Sequence, residues 1–233
     1  METDLYIHPA QVKILKSLLF KPRARFSELN KAKLTNDHFS FHINSLLEAK
    51  LIVKISSGKY RLTTKGKEFA NRFDTIKEEI EKQAKIGALV VCIKRSGGKT
   101  KYLISQRLKQ PYYGCYGFIT GKVHWGETVL DSAERELKEE TNLKANLKLV
   151  AIEHKMDYSQ KGKLLEDKFF FVFKATKTKG KLKVNFEGGK NIWLTKKEIL
   201  KLPSLFEGVI RRFELVKLKH LSFLETKYKV KKY

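Results

Sequence analysis

Gly121-Lys122-Val123-His124-Trp125-Gly126-Glu127 leads into a strong helix-forming run, residues 128–141, which contains Arg135-Glu136-Leu137-Lys138-Glu139-Glu140. On a helix Glu136, Glu139 and Glu140 stand at i, i+3 and i+4, so their three carboxylates project from one face. Like charges so placed repel and weaken the helix unless something positive sits among them. Hard oxygen ligands on a rigid element suit Mg²⁺ or Mn²⁺, usually shared with substrate phosphates. Such an ion polarises a phosphoryl oxygen and lowers the pKa of a bound water. Taken alone, Glu-x-x-Glu-Glu reads better as a solvated acidic face in a charge-rich chain.

The longer spacing changes that weighing. Gly121, five residues, Glu127, seven residues, then Arg135 to Glu140, one residue, Asn142 and Leu143 together resemble the Nudix box. The one departure is Asn142, where the family has glycine; asparagine tolerates the left-handed backbone of a helix C-cap better than other side chains do. The resemblance implies that Glu136, Glu139 and Glu140 ligate metal, with Glu136 and Glu139 catalytic, and that Gly121 serves the metal site through its backbone. It also implies that Glu127 and Arg135 brace the box by a carboxylate–guanidinium contact.

Around the box the chain reads as strands. Ala88-Leu89-Val90-Val91-Cys92-Ile93 and Lys101-Tyr102-Leu103-Ile104-Ser105-Gln106-Arg107 flank a Ser96-Gly97-Gly98 turn. The resemblance extends more loosely over residues 86–200. There Asn185-Phe186-Glu187-Gly188-Gly189 resembles a loop that supplies an additional carboxylate in some Nudix enzymes, which makes Glu187 a candidate ligand or general base, with Glu153 the competitor. Arg107 closes a strand where it could meet phosphate, and Tyr112, Tyr113, Phe118 and Trp125 could stack a base or belong to the core. Arg107, Tyr113 and Phe118 are the expected substrate contacts. The family cleaves nucleoside diphosphates linked to another moiety, so a small molecule of that class is the expected substrate.

The first region reads as three helices and a hairpin. Apolar Val12, Ile14, Leu15, Leu18 and Leu19 recur at helical spacing before Pro22, a short segment surrounds Phe26, and Thr35 or Asn36 caps a helix bearing Phe39, Ile43, Leu46 and Leu47. Residues 51–55 and 59–63 are β-rich and separated by Ser56-Ser57-Gly58. This arrangement resembles a winged helix-turn-helix domain. The resemblance implies that Asn36, Asp37, Ser40, Phe41, His42 and Asn44 face a DNA major groove, with Lys59 and Arg61 on the wing near phosphates. A protein-interaction module of three helices is the competing reading.

The expected architecture is therefore α+β: a winged helix-turn-helix domain at 1–72, a helical linker at 73–85, an α/β/α Nudix sandwich with a mixed sheet at 86–200, and a C-terminal helix with a basic tail at 201–233. The charged linker, including Ile76-Lys77-Glu78-Glu79-Ile80, could pair two copies into a homodimer or be merely solvated.

The net charge of +24 should concentrate polyanions near the protein. Only nine of its 49 basic residues are arginine, so the lysine excess reads equally as composition bias. Residues 1–85 carry 17 basic and 10 acidic side chains, against 32 and 15 in residues 86–233. The basic segments 174–183 and 217–232 suit long anions or plain solvation. No apolar run approaches the ~20 residues of a spanning helix, and the Met1-Glu2-Thr3-Asp4 start has no export signal, so the cytoplasm and no membrane partner are expected. Cys92 and Cys115 lack a pairing or metal-binding spacing. A Mg²⁺- or Mn²⁺-dependent phosphoanhydride hydrolase follows. The alternative is a transcriptional regulator whose Nudix domain senses a nucleotide and whose winged helix binds double-stranded DNA. Sensor versions can dispense with the metal-binding carboxylates, whereas this chain keeps all three.

Overall fold

In the computed structural model, which describes residues 7–31, 33–77 and 79–233, the chain divides into two compact units, Met1–Lys82 and Gln83–Tyr233. The first contains α1 (Pro9–Phe20), α2 (Phe26–Leu29), α3 (Asn36–Glu48), the antiparallel pair β1 (Ile52–Lys54) and β2 (Tyr60–Leu62), and α4 (Thr64–Ala70). His8 caps α1, its ring nitrogen Nδ1 accepting from the Ala10 amide at 3.2 Å. Ile14, Leu15 and Leu18 from α1 meet Phe39, Ile43 and Leu46 from α3, Leu51 ahead of the hairpin and Ile52 at its start in one apolar core. That is the helical periodicity of the sequence converted into burial.

The linker differs from expectation. Past α4 the chain forms two short strands, β3 (Phe73–Asp74) and β4 (Glu79–Ile80), paired antiparallel rather than helical. Asp74 Oδ1 accepts from the amides of Ile76 (2.9 Å) and Lys77 (3.0 Å), a side-chain turn that competes with helix formation. Glu78 lies outside the described residues. The helical dimerisation element proposed for this stretch is therefore absent from the described residues.

The second unit is built on a mixed sheet. Its strands are β5 (Lys85–Ser96), β6 (Lys99–Arg107), β7 (Tyr116–Gly117), β8 (Ile119–Lys122), β9 (Lys144–Tyr158), β10 (Leu164–Lys179), β11 (Asn185–Phe186), β12 (Gly189–Thr195) and β13 (Ser222–Lys229), and its helices are α5 (Val129–Thr141), α6 (Lys196–Ile199) and α7 (Val209–Leu215). The order is β11-β12-β6-β5-β10-β9-β13, with β7 on β6 and β8 on β5; β5–β10 and β9–β13 run parallel and the other pairs antiparallel. Strand β5 shows why two layers of helix are needed. Ala88, Val90 and Cys92 point to the face covered by Ala133 and Leu137 of α5, while Leu89 and Val91 point to the face covered by Ile199, Val209 and Phe213. Truncating Leu137, which is fully buried, would cost about 2–5 kcal/mol.

The C-terminal segment is more than a helix and a tail. Residues 222–229 form β13 and pair with β9 from Ser222↔Ala151 to Lys229↔Tyr158, so the basic end of the chain is part of the sheet. No helix among the described residues is long and apolar enough to cross a membrane.

Candidate active site

Helix α5 begins at Thr128, whose hydroxyl accepts from the Asp131 amide at 3.1 Å, and ends at Asn142 with φ 58°, the left-handed cap its sequence position requires. The preceding loop is tied to the helix by Arg135. Its Nε and Nη2 donate to the two oxygens of Glu127 at 2.7 and 3.0 Å, and Nη2 also donates to the Lys122 carbonyl at 3.0 Å. This fork holds the Glu127 carboxyl down to about 2, with the His124 amide as the next contributor. Nη1 of the same guanidinium reaches Glu136 at 2.7 Å and Glu139 at 3.3 Å. The bracing role expected of Glu127 and Arg135 is thus present as geometry.

Glu136 folds back onto β8. A Cβ placed on Gly121 would lie 1.7 Å from its carboxyl carbon, so the side chain occupies the space that only glycine leaves open. Glu136 and Glu140 both line a cavity of about 610 Å³ that extends across β8, β5, β10 and β9. Burial, and then the neighbouring Glu136 charge, push the Glu140 carboxyl up to about 7, against the opposing pull of Lys109 and Arg107. Glu139 faces outward, its side chain 61% exposed, and does not line the cavity. Among the described residues no three carboxylate, imidazole or thiol groups converge closely enough to hold an ion as they stand. What the cavity does offer is two carboxylates, one of them destabilised by burial and by its neighbour's charge, beside a glycine backbone. That donor set fits a hard divalent cation.

The model of the NUDIX domain family matches residues 84–216, more than half of the chain. The chain belongs to the Nudix hydrolase family. No curated protein matches it. Among solved structures, a MutT protein from Bacillus halodurans is 23% identical, with 64% of this chain and 93% of that one covered and a TM-score of 0.51. The NUDIX domain of Shewanella oneidensis NrtR, crystallised with ADP ribose, is 16% identical, with 66% and 97% covered and a TM-score of 0.52. Both likenesses show the shared fold.

The remaining candidates of the Nudix domain separate. Arg107 and Phe118 line the cavity. Arg107 Nε donates to the carbonyls of Pro111 at 2.6 Å and Lys109 at 3.0 Å, and Nη2 donates to that of Gln110 at 3.1 Å, so it shapes the 109–111 loop rather than presenting a free fork. Tyr113 is half exposed and lies outside the cavity; Tyr112, in a left-handed conformation at φ 67°, takes its place on the wall. Glu187 is exposed at the β11–β12 turn and also outside it. Glu153 is fully buried, with Arg212 Nε and Nη2 donating to its Oε2 at 3.0 and 2.8 Å, so it anchors α7 to β9.

Sequence reading missed the far wall, where β9 and β10 bring Lys155, Asp157, Glu166 and Lys168 to the cavity. The signal was present as charged residues at every second position, Glu153, Lys155 and Asp157, which share one face of a strand.

In the first unit, Asn36, Asp37, Phe41, Asn44 and Arg61 are exposed, and Ser40 and Lys59 half-buried. His42 corrects the sequence reading. It is buried, because it falls on the same helical stripe as Phe39 and Ile43, and its ring stacks on His8 with centroids 4.3 Å apart. Burial lowers its pKa, and neither ring nitrogen has a hydrogen-bond partner.

Proposed function

We propose that the Nudix domain is a Mg²⁺- or Mn²⁺-dependent hydrolase cleaving the phosphoanhydride of a nucleoside diphosphate derivative. The observation that carries this reading is the shared cavity: Glu136, seated on Gly121, and Glu140 face the same space as Lys109 and Lys122. Glu136 and Glu140 would hold the metal from inside the cavity, and Glu139 from its solvent side. When bound, the metal would polarise a phosphoryl oxygen and activate water for attack at phosphorus. The lysines at the mouth draw the diphosphate in and offset charge on the leaving phosphate. Arg107 keeps the 109–111 loop, and so Lys109, at the cavity edge. Arg135 limits the motion of Glu136 and of the end of β8 at Lys122, so that the reacting groups meet with little reorganisation.

Calorimetric titration with Mn²⁺ alone tests the metal site. Native protein should bind and Glu136→Gln should bind at least about tenfold more weakly; equal binding by both would place the metal elsewhere.

The second reading is a nucleotide-responsive regulator. It is favoured by the exposed α3 face with Asn36 and Asn44 and by exposed Arg61 on β2, which together suit a winged helix that enters a major groove. A mobility-shift assay on the DNA upstream of its own coding region separates the readings. Binding that a nucleotide releases supports regulation, and affinity no higher than for random duplex at physiological salt removes it.

A further inference from the structure

Three imidazoles meet where α1 and α3 begin. His8 is the N-cap of α1, and His38 and His42 lie one turn apart on α3. The rings of His8 and His42 are stacked with centroids 4.3 Å apart; His38 stands 5.0 Å from His42 and 6.4 Å from His8. His42 is the buried member, 2% exposed, and neither of its nitrogens has a hydrogen-bond partner, while His8 and His38 are exposed. An unpartnered polar ring in a core is costly, since an apolar side chain there would leave nothing unsatisfied. No step of the hydrolysis uses these rings, and burial takes His42 off the α3 surface that a nucleic acid could reach.

We propose that this cluster is a proton switch: neutral rings hold α1 against α3, and protonation in mild acid releases them. Two contacts require the neutral form. Nδ1 of His8 accepts from the Ala10 amide at 3.2 Å, and an imidazolium has no lone pair with which to accept. Charging His42 places a buried cation against two further imidazoles. The titratable groups that face it are His8 from α1 and His38 from its own helix. Gln11 of α1 is uncharged and turned to Ser45, its Nε2 donating to Oγ at 2.9 Å; β1, also packed on α3, contributes apolar Ile52 to the core. Among the described residues no carboxylate pairs with any of the three rings; the imidazole of the printed ion pairs is that of His154. An added proton meets instead the positive ends of two helix dipoles. Burial, and then His8 and His38, lower the pKa of His42 from the ordinary 6.5. The unfolded state thus binds the proton more tightly. The stability that the cluster gives is complete above about pH 6.5 and is lost as pH falls through the folded-state value. His154 in the second unit works in the opposite sense, its pKa being raised by Glu225 and Asp167. Acid therefore loosens the first unit while the hold on β13 strengthens. The helix released is the one that carries Asn36, Phe41 and Asn44 to the surface.

The test is hydrogen exchange of the full chain at about pH 7.5 and about pH 5, read as protection factors corrected for the intrinsic pH dependence of exchange. Amides of α1 and α3 should lose at least about tenfold in protection in acid, while those of β5 and β9 do not. His42→Leu, which fills the buried position without a titratable group, should erase that loss. Should this variant not fold, His8→Asn keeps a capping side chain and should reduce the loss. Protection of α1 and α3 that holds or rises in acid, that falls in step with β5 and β9, or that falls as steeply in both variants as in the native chain overturns the proposal. The assay uses neither metal nor nucleotide, so failure of the hydrolase reading leaves its result unaffected.

Discussion

The carboxyl group of Glu136 occupies the space in which residue 121 would carry a Cβ, so the helix and the strand of the site fit together only with glycine at that position. Substituting Gly121→Ala forces the Glu136 side chain off its seat, because a Cβ there would stand 1.9 Å from Oε1. A displacement of about 1 Å at a reacting group can lower turnover about 100-fold. Steady-state kinetics of G121A should show that loss in kcat with an unchanged circular dichroism spectrum, and native-like turnover would remove Glu136 from the site.

Arg135 makes five of its contacts through a planar fork, to both Glu127 oxygens, the Lys122 carbonyl, Glu136 and Glu139. Lysine cannot reproduce that geometry. R135K should therefore lose about tenfold in kcat/KM while its metal affinity changes less than that of Glu136→Gln. Full activity in R135K would mean that charge alone, and not the fork, holds the loop.

The ion pair between Glu153 and Arg212 is closed off from solvent, with side chains 0% and 4% exposed. Removing one partner strands the other charge in the core. Arg212→Met should lower unfolding stability in urea by about 3–5 kcal/mol, and adding Glu153→Leu should recover most of it. A single variant as stable as the native protein would contradict the burial.

His154 joins three strands: its ring nitrogens meet Glu225 of β13 at 2.7 Å and Asp167 of β10 at 2.8 Å. The contact with Glu225, followed by that with Asp167, raises its pKa above the ordinary 6.5. The folded state thus holds the proton more tightly than the unfolded one. The added stability is complete below about pH 6.5 and disappears as pH rises through the folded-state value. Thermal melts should show Tm falling across that interval in native protein and a flatter profile in His154→Gln; parallel profiles would show that the imidazole is not what ties β13 down.

The sequence made the box legible because its chemistry demands fixed spacing, and the structure holds three pieces of it as geometry, the glycine under Glu136, the Glu127–Arg135 fork and the left-handed Asn142, while Glu139 faces away from the cavity. The three helices and hairpin of the first unit were legible because their apolar residues repeat at helical and strand periods. Residues 73–80 were not, because a run of charged helix formers carries no apolar stripe to fix its structure, and the Asp74 turn prevails locally. The terminal strand β13 was hidden for a related reason: strand formation there depends on the partner β9, 70 or so residues earlier, and not on the segment's own lysine-rich composition. Tyr113 was chosen for its nearness to the box in sequence and Glu187 for the resemblance of its loop to a carboxylate-bearing one, and both lie outside the cavity. The charged wall of Lys155, Asp157, Glu166 and Lys168 was overlooked because charged positions in strands ordinarily face water.

Phosphate release from free nucleotides, nucleotide sugars and dinucleoside polyphosphates, with and without Mg²⁺ or Mn²⁺, bears most directly on the central claim when native protein is set beside Glu139→Gln and Glu140→Gln. The account predicts metal-dependent release by the native chain that both variants lose while remaining folded. Release that persists without metal, or in both variants, would contradict it.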